Sequence, residues 1–220
     1  MASWTVVVPV KSWDAAKNRL LVPQPLKQAF ARAFAEDVLS AASASSRVGD
    51  LAVVTNEPRM GPIAGRAGAR LLAEPEPADG EGLNSAIAAG LAWARKRCAG
   101  PVAVVPADLP CLTPTALDAV LELAGTQPFS FVPDTEGTGT TILCARGPDL
   151  LRTAYGAGSC ARHADMGAFP MAQVDLRARQ DVDNLEDLRA ATRLGVGRST
   201  AALVERHKAL ICEPQSTAPR

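Results

Sequence analysis

The sequence predicts an α/β fold built as one domain, with a mostly parallel central sheet flanked by helices. Short apolar runs of strand length, Val6-Val7-Val8-Pro9-Val10, Leu51-Ala52-Val53-Val54-Thr55 and Val102-Ala103-Val104-Val105, alternate with alanine-rich stretches of helical period. Each run is continuously apolar rather than alternating, the pattern of strands covered on both faces. At 220 residues the chain is long enough for one sizeable core. Repeated strand–helix units imply right-handed crossovers, and ligands then bind outside the carboxyl ends of the strands.

The first strand spans 5–10 and is closed by Pro9 and a charge at Lys11. A helix over 26–45 follows Pro25, with Phe30, Phe34, Val38 and Leu39 on one face and Arg32 and Glu36 on the wetter side. Gly49-Asp50 turns the chain into the second strand, 51–55, which Asn56 to Arg59 close. A short helix over 63–70 leads to a third strand near 69–72, then to a Pro/Gly/Glu-rich loop over 74–82. The next helix covers 83–98, with Asn84 or Ser85 near its start. The fourth strand is 102–105, and Asp108 lies just past its end. Thr113 as cap and Pro114 at the first helical position open a helix running to about Ala124. The second half is less regular. Strands are expected at 130–133, 141–145 and 172–176, and a helix over 185–194 capped by Asn184 or Asp183 and ended by Gly195. The domain is expected over 1–212, with 198–212 a helical extension and 213–220 a flexible tail.

Lys and Arg number 23, as do Asp and Glu. This balance argues against a dedicated nucleic-acid binder and still allows a local basic pocket. The five cysteines form no CxxC or zinc spacing, so reduced thiols of a cytoplasmic protein are expected. No Lys/Arg-flanked apolar segment opens the chain, so no signal peptide is expected. The apolar runs are too short to span a bilayer, so no membrane partner is expected either.

Chemistry-bearing residues cluster where strands end. Lys11, Lys17 and Arg19 follow the first strand, and several positive charges around one turn suit a polyphosphate. The alternative is an ordinary solvated loop. No GxxxxGK[ST] or GxGxxG is present. In Pro106-Ala107-Asp108-Leu109-Pro110 a single acid is fixed between two prolines, and Mg²⁺ needs only one or two protein carboxylates plus substrate phosphates. A plain turn cap is the rival role. Asp181 and Asp183 are candidate partners that share a face if 181–183 is extended, with helix capping the rival role for Asp183. Gly80-Glu81-Gly82-Leu83-Asn84 could approach a flat purine, with Glu81 and Asn84 offering hydrogen bonds. Thr138-Gly139-Thr140-Thr141 and Gly156-Ala157-Gly158-Ser159 are glycine turns that suit a second anion, the latter if Ser159 opens a helix with free first-turn N–H groups. Plain turn chemistry is the alternative for each. His163 reads as a surface or pocket-edge residue, and Cys160 has no orienting base nearby in sequence.

Val8-Pro9-Val10-Lys11, Ala16-Lys17-Asn18-Arg19-Leu20, Glu81-Gly82-Leu83-Asn84, Pro106-Ala107-Asp108-Leu109-Pro110, Gly137-Thr138-Gly139-Thr140-Thr141 and Asp181-Val182-Asp183 occur in this order. Together, over about residues 4–195, they resemble the 2-phospho-L-lactate and phosphoenolpyruvate guanylyltransferases. The resemblance implies a single-domain, Rossmann-like nucleotidyltransferase fold of the GT-A-like kind. It implies transfer of GMP from GTP to a phosphorylated three-carbon acid, with release of pyrophosphate, on the way to the deazaflavin coenzyme F-420. The Ala-, Arg-, Gly- and Pro-rich composition points to the branch that uses phosphoenolpyruvate, with 2-phospho-L-lactate and 3-phosphoglycerate the other acceptors in the family. By resemblance, Lys11, Lys17 and Arg19 receive the GTP phosphates, and Glu81, Gly82, Leu83 and Asn84 border guanine. Asp108, with Asp181 and Asp183, holds Mg²⁺, and Thr141, Gly156 and Ser159 hold the acid substrate. Asp108, Lys11, Lys17 and Arg19 form the catalytic set, and the resemblance allows a homodimer. The rivals are a nucleotidyltransferase for another phosphorylated acceptor and a non-catalytic GTP-binding module.

Overall fold

The computed structural model describes residues 3–14, 17, 19–75, 82–97 and 100–212. The chain runs β1 (Trp4–Pro9), α1 (Gln24–Ala44), β2 (Val48–Val54), α2 (Gly61–Arg66), β3 (Arg70–Leu72), α3 (Gly82–Lys96), β4 (Val102–Val104) and α4 (Pro114–Ala124). It continues through β5 (Phe129–Pro133), β6 (Thr140–Ala145), α5 (Ser159–Asp165), β7 (Phe169–Pro170), α6 (Leu185–Leu194), α7 (Arg198–Arg206) and α8 (Lys208–Cys212). The expected tail, 213–220, lies outside the described residues, as do Ala16, Asn18, Glu81 and Cys98. Among the described residues no helix is long and apolar enough to cross a membrane.

The sheet order is β3-β2-β1-β4-β6-β5-β7. Every pairing is parallel except those of β6, which runs against β4 and β5. The mostly parallel α/β fold is therefore the one the sequence predicts. Side chains of β1 alternate between two cores: Val6 and Val8 pack with α1, α2 and α4, and Val7 packs with α3. That is why the run reads as continuously apolar. Gly90 allows α3 to lie close, since a Cβ there would fall 2.3 Å from Val7 Cγ1.

A third cluster joins Phe30 and Phe34 of α1 to Leu188 of α6, Val204 of α7 and Ile211 of α8. The C-terminal helices thus pack on the chain's own first helix. The buried Asp37 of α1 accepts the Ser199 and Thr200 backbone N–H groups, each at 2.9 Å. These are first-turn donors of α7, whose N-cap Gly197 has no side chain to serve them. A Cβ on Gly197 would fall 2.3 Å from the Asp37 carboxyl carbon, so the cap has to come from the neighbouring helix. Asp37→Ala is expected to lower stability by about 2 kcal/mol in urea unfolding, the cost of two orphaned helix donors. An unchanged midpoint would show that this contact holds nothing.

One expected strand is corrected. Residues 172–176 form no ladder; β7 lies earlier, at Phe169–Pro170, and a 3-10 turn occupies Leu176–Ala178. Asp175 caps that turn by accepting the Arg177 N–H at 2.9 Å. The Ala172 carbonyl is taken by Arg179 Nη1 at 2.9 Å instead of by a neighbouring strand.

Candidate active site

Between β1 and β4 the winding of the sheet reverses. The chain leaves β1 toward β2 on one side and returns from α3 to β4 on the other. Loops at such a point splay apart and leave a crevice at the carboxyl ends. Here the crevice is a cavity of about 310 Å³ lined by Lys11, Trp13, Lys17, Arg19, Leu83, Asp108 and Asp183, among others. Residues separated by more than 170 positions meet there.

Lys17 stands at its centre. Its Nζ donates to Asp108 Oδ2 at 3.0 Å and to Asp183 Oδ1 at 3.2 Å. Only 10% of its side chain is exposed, so the solvated-loop alternative does not hold for it. Burial opposes its charge, but the Asp108 and Asp183 carboxylates outweigh burial and raise its pKa. Its backbone sits at φ +57°, the one positive φ of a non-glycine residue among the described residues. Left-handed backbone at a lysine stores on the order of 1 kcal/mol of strain. Arg19 Nη1 reaches Asp183 at 3.6 Å from an exposed position. Lys11 is exposed at the rim, where its charge opposes the upward push of burial on the Glu74 carboxyl.

The three acids arrive by different routes. Asp108 follows β4, and its backbone carbonyl accepts the Val182 N–H at 3.1 Å. Val182 is fully buried in the α1–α6 core, and its neighbours Asp181 and Asp183 flank it toward Asp108. The cap of α6 is Asn184, in a capping box with Asp187, so Asp183 is free to serve Lys17. Burial, then Asp108 and Asp183, push the Asp181 carboxyl above the usual carboxylate range. Among the described residues no three His, Cys, Asp or Glu side chains are placed to ligate one ion. Asp181 nonetheless lies near enough to Asp108 and Asp183 for their charges to raise its carboxyl, while Lys17 bridges the other two. Two carboxylates already converging on one cation, beside a cavity open to phosphates, do fit the needs of Mg²⁺.

A second tier behind the loop is absent from the expected site residues. Glu57, 2% exposed, accepts the Trp13 backbone N–H at 3.0 Å and pairs with Arg59. The Arg59 bonds hold its carboxyl well below the usual carboxylate range. The Arg59 guanidinium also stacks over the Trp13 ring, 4.7 Å from its centroid. The signal available in sequence was an acid two residues past the end of a buried strand, and its partner lies 44 residues away.

The expected acceptor residues Thr141, Gly156 and Ser159 are not among the described residues that line this cavity. Gly156 and Gly158 have φ of +123° and +72°, a turn that only glycine enters cheaply. Ser159 does open a helix, α5, but its first-turn donors are partly used: Ser159 N–H goes to the Gly156 carbonyl and Cys160 N–H to the Thr138 carbonyl. The Thr141 hydroxyl is buried and donates to the Ala178 carbonyl at 2.7 Å. That bond ties β6 to the turn at Leu176–Ala178. Asn84 turns its amide to the segment before Gly156: Oδ1 accepts from Thr153 Oγ1 at 2.6 Å and Tyr155 N–H at 3.1 Å, and Nδ2 donates to the Tyr155 carbonyl. Gly82 and Leu83 open α3 beside the cavity, and Glu81 lies outside the described residues.

His163 is corrected from a pocket-edge residue to a fully buried one. Its Nε2 accepts the Ala154 N–H at 3.0 Å, so Nδ1 carries the proton and donates to Thr140 Oγ1 at 2.9 Å. Burial, and secondarily Arg162, push its pKa down to about 4.

Comparison with known proteins gives the family. A family model, the MobA-like NTP transferase domain, matches residues 20–168. The phosphoenolpyruvate guanylyltransferase of Streptomyces coelicolor is 45% identical over 212 residues, covering 92% of this chain and 96% of that protein. The one from Salinispora arenicola is 43% identical over 204 residues, covering 91% and 92%. Among solved structures, one described as a nucleotide-diphospho-sugar transferase from Desulfovibrio desulfuricans G20 superposes with a TM-score of 0.74 at 18% identity, covering 96% of this chain and 98% of that one. It shows the same fold. With a nucleotidyltransferase sheet, a Lys17–Asp108–Asp183 cluster at its switch point and near-full-length identity of this order, the chain belongs to the phosphoenolpyruvate guanylyltransferase family.

Proposed function

We propose that this protein transfers GMP from GTP to phosphoenolpyruvate and releases pyrophosphate, a step toward coenzyme F-420. The observation that carries the proposal is the buried Lys17 ammonium between Asp108 and Asp183 at the sheet's switch point, in a chain of this family. A phosphate oxygen of the acceptor, already anionic, attacks the α-phosphorus of GTP. The bond to the β-phosphate oxygen breaks and pyrophosphate leaves with the electron pair. No general base is needed, so the work left to the protein is to bring two anions together. Lys11, Lys17 and Arg19 place positive charge where the triphosphate lies, and Gly82 and Leu83 border the base. Asp108 and Asp183 would hold Mg²⁺, which when bound supplies charge neutralisation at the phosphates.

The wall of Gly156 and Ser159 holds the acid substrate, positioned from behind by Asn84. Asn84→Ala is expected to raise the KM for phosphoenolpyruvate about 10-fold, the order of one lost positioning hydrogen bond. The KM for GTP should stay within about twofold. A rise in the GTP KM instead would return Asn84 to the guanine site.

The direct test is pyrophosphate release from GTP and Mg²⁺ with phosphoenolpyruvate, 2-phospho-L-lactate and 3-phosphoglycerate offered separately. Rapid release with phosphoenolpyruvate is the expected result. Release with none of the three, while GTP binds, would leave a GTP-binding module or an unrelated acceptor.

A further inference from the structure

We propose that Lys17 is a built-in occupant of the cation position: its ammonium holds Asp108 and Asp183 together in the nucleotide-free protein and must leave them before a divalent cation can bind. The inference rests on the guanylyltransferase reading only for the identity of the nucleotide. The exchange of cations follows from the geometry.

Lys17 Nζ lies 3.0 Å from Asp108 Oδ2 and 3.2 Å from Asp183 Oδ1. Mg²⁺ takes carboxylate oxygens at about 2.0–2.1 Å and brings twice the charge. An ammonium and a divalent ion compete for these carboxylate oxygens, and the two cations repel at contact distance. One has to go. Three features make Lys17 the group that moves. Its backbone is held at φ +57°, a conformation lysine rarely adopts. Its side chain lies in the cavity that the nucleotide phosphates would enter. Arg19, which also reaches Asp183, is 80% exposed and can remain at the rim.

The triphosphate gives the displaced ammonium a new set of anions. Lys17 would then trade two carboxylates for phosphate oxygens while the divalent ion takes the carboxylates. Metal and nucleotide affinities become coupled, each raised by the presence of the other. The bare protein should bind divalent cations weakly because its own lysine competes.

The test is Mn²⁺ binding to the full chain without nucleotide, read from the free-Mn²⁺ electron paramagnetic resonance signal. Lys17→Met is expected to bind Mn²⁺ at least ~10-fold more tightly than the native protein, once the internal competitor is gone. Asp108→Asn is expected to bind it more weakly than the native protein. Equal or weaker binding by a folded Lys17→Met protein would overturn the proposal. Should that variant fail to fold, the native protein still decides. Its Lys17 ammonium resonance, assigned by its absence from Lys17→Arg, should be protected from solvent exchange without metal. It should lose that protection at saturating Mg²⁺, and protection retained with Mg²⁺ bound would overturn the exchange. No nucleotide is present in either experiment. Failure here therefore leaves the transferase reading standing, and failure of pyrophosphate release leaves the cation exchange standing.

Discussion

Asp108→Asn is expected to cut pyrophosphate release at least ~100-fold while leaving the fold intact. The substitution keeps the size of the side chain and removes its charge. The loop itself is held by backbone: the Asp108 carbonyl accepts the Val182 N–H, and Leu112 N–H donates to the Leu109 carbonyl. Neither bond involves the carboxylate, and Leu109 is fully buried. Circular dichroism and melting temperature should therefore stay near those of the native protein. What is lost is one of the two anions that fix Lys17 and that would hold a divalent ion. A hundredfold loss corresponds to about 2.7 kcal/mol of transition-state stabilisation, the usual size for removing one preorganised electrostatic partner. Turnover within a few-fold of native at saturating Mg²⁺ would take Asp108 out of the catalytic set.

His163 is expected to make the protein acid-sensitive by about 3 kcal/mol. Its folded pKa is pushed down to about 4 from the 6.5 of an exposed histidine. The unfolded chain takes up a proton as pH falls through 6.5, and the folded protein refuses it until about 4. Stability contributed by this residue is therefore present above 6.5 and is lost as pH falls toward 4, at up to about 1.4 kcal/mol per pH unit. The structural cause is specific. A proton on Nε2 would confront the Ala154 N–H that it now accepts, inside a site closed by Phe131 and Tyr155 and facing Arg162. Asp181, raised by burial and its acidic neighbours, tilts stability the opposite way over overlapping pH. The quantity to measure is thus the difference in urea midpoint between the native protein and His163→Gln, from pH 7 to 5. The native protein should lose stability relative to the variant as pH falls. Parallel curves would mean that His163 titrates normally. The segment leading to Gly156 is tied to this residue through the Ala154 N–H, so it should loosen before the Lys17–Asp108–Asp183 cluster does.

What could be read from the sequence is what local chemistry governs. The strands at Val6, Val53 and Val104, the Thr113-Pro114 helix start and the Asn184 cap are each decided by a few adjacent residues, and each is found in place. Lys17 and Asp108 were legible because both follow buried strands. Their meeting was legible only through the topology rule for parallel sheets. Pairings set by three-dimensional packing were not. Nothing near Glu57 in sequence announces Trp13, and nothing near Asn84 announces Tyr155. The Thr141 hydroxyl looked available because its partner, the Ala178 carbonyl, lies 37 residues on. The stretch 172–176 looked like a strand from its apolar residues, but Asp175 prefers to cap a turn.

The reversed strand β6 has a consequence for how such enzymes change. Because β6 runs against its neighbours, its first residues lie at the same edge as the ends of β4 and β5, and the turn joining β5 to β6 is a hairpin tip at that edge. Lys17, Asp108 and Asp183 sit on loops far apart in sequence, so a change there disturbs contacts across the whole domain. The β5–β6 hairpin is local, and α5 is tied to it by the Cys160 N–H on the Thr138 carbonyl. Insertions or substitutions in the hairpin tip can change that edge of the sheet while leaving the Lys17–Asp108–Asp183 cluster in place.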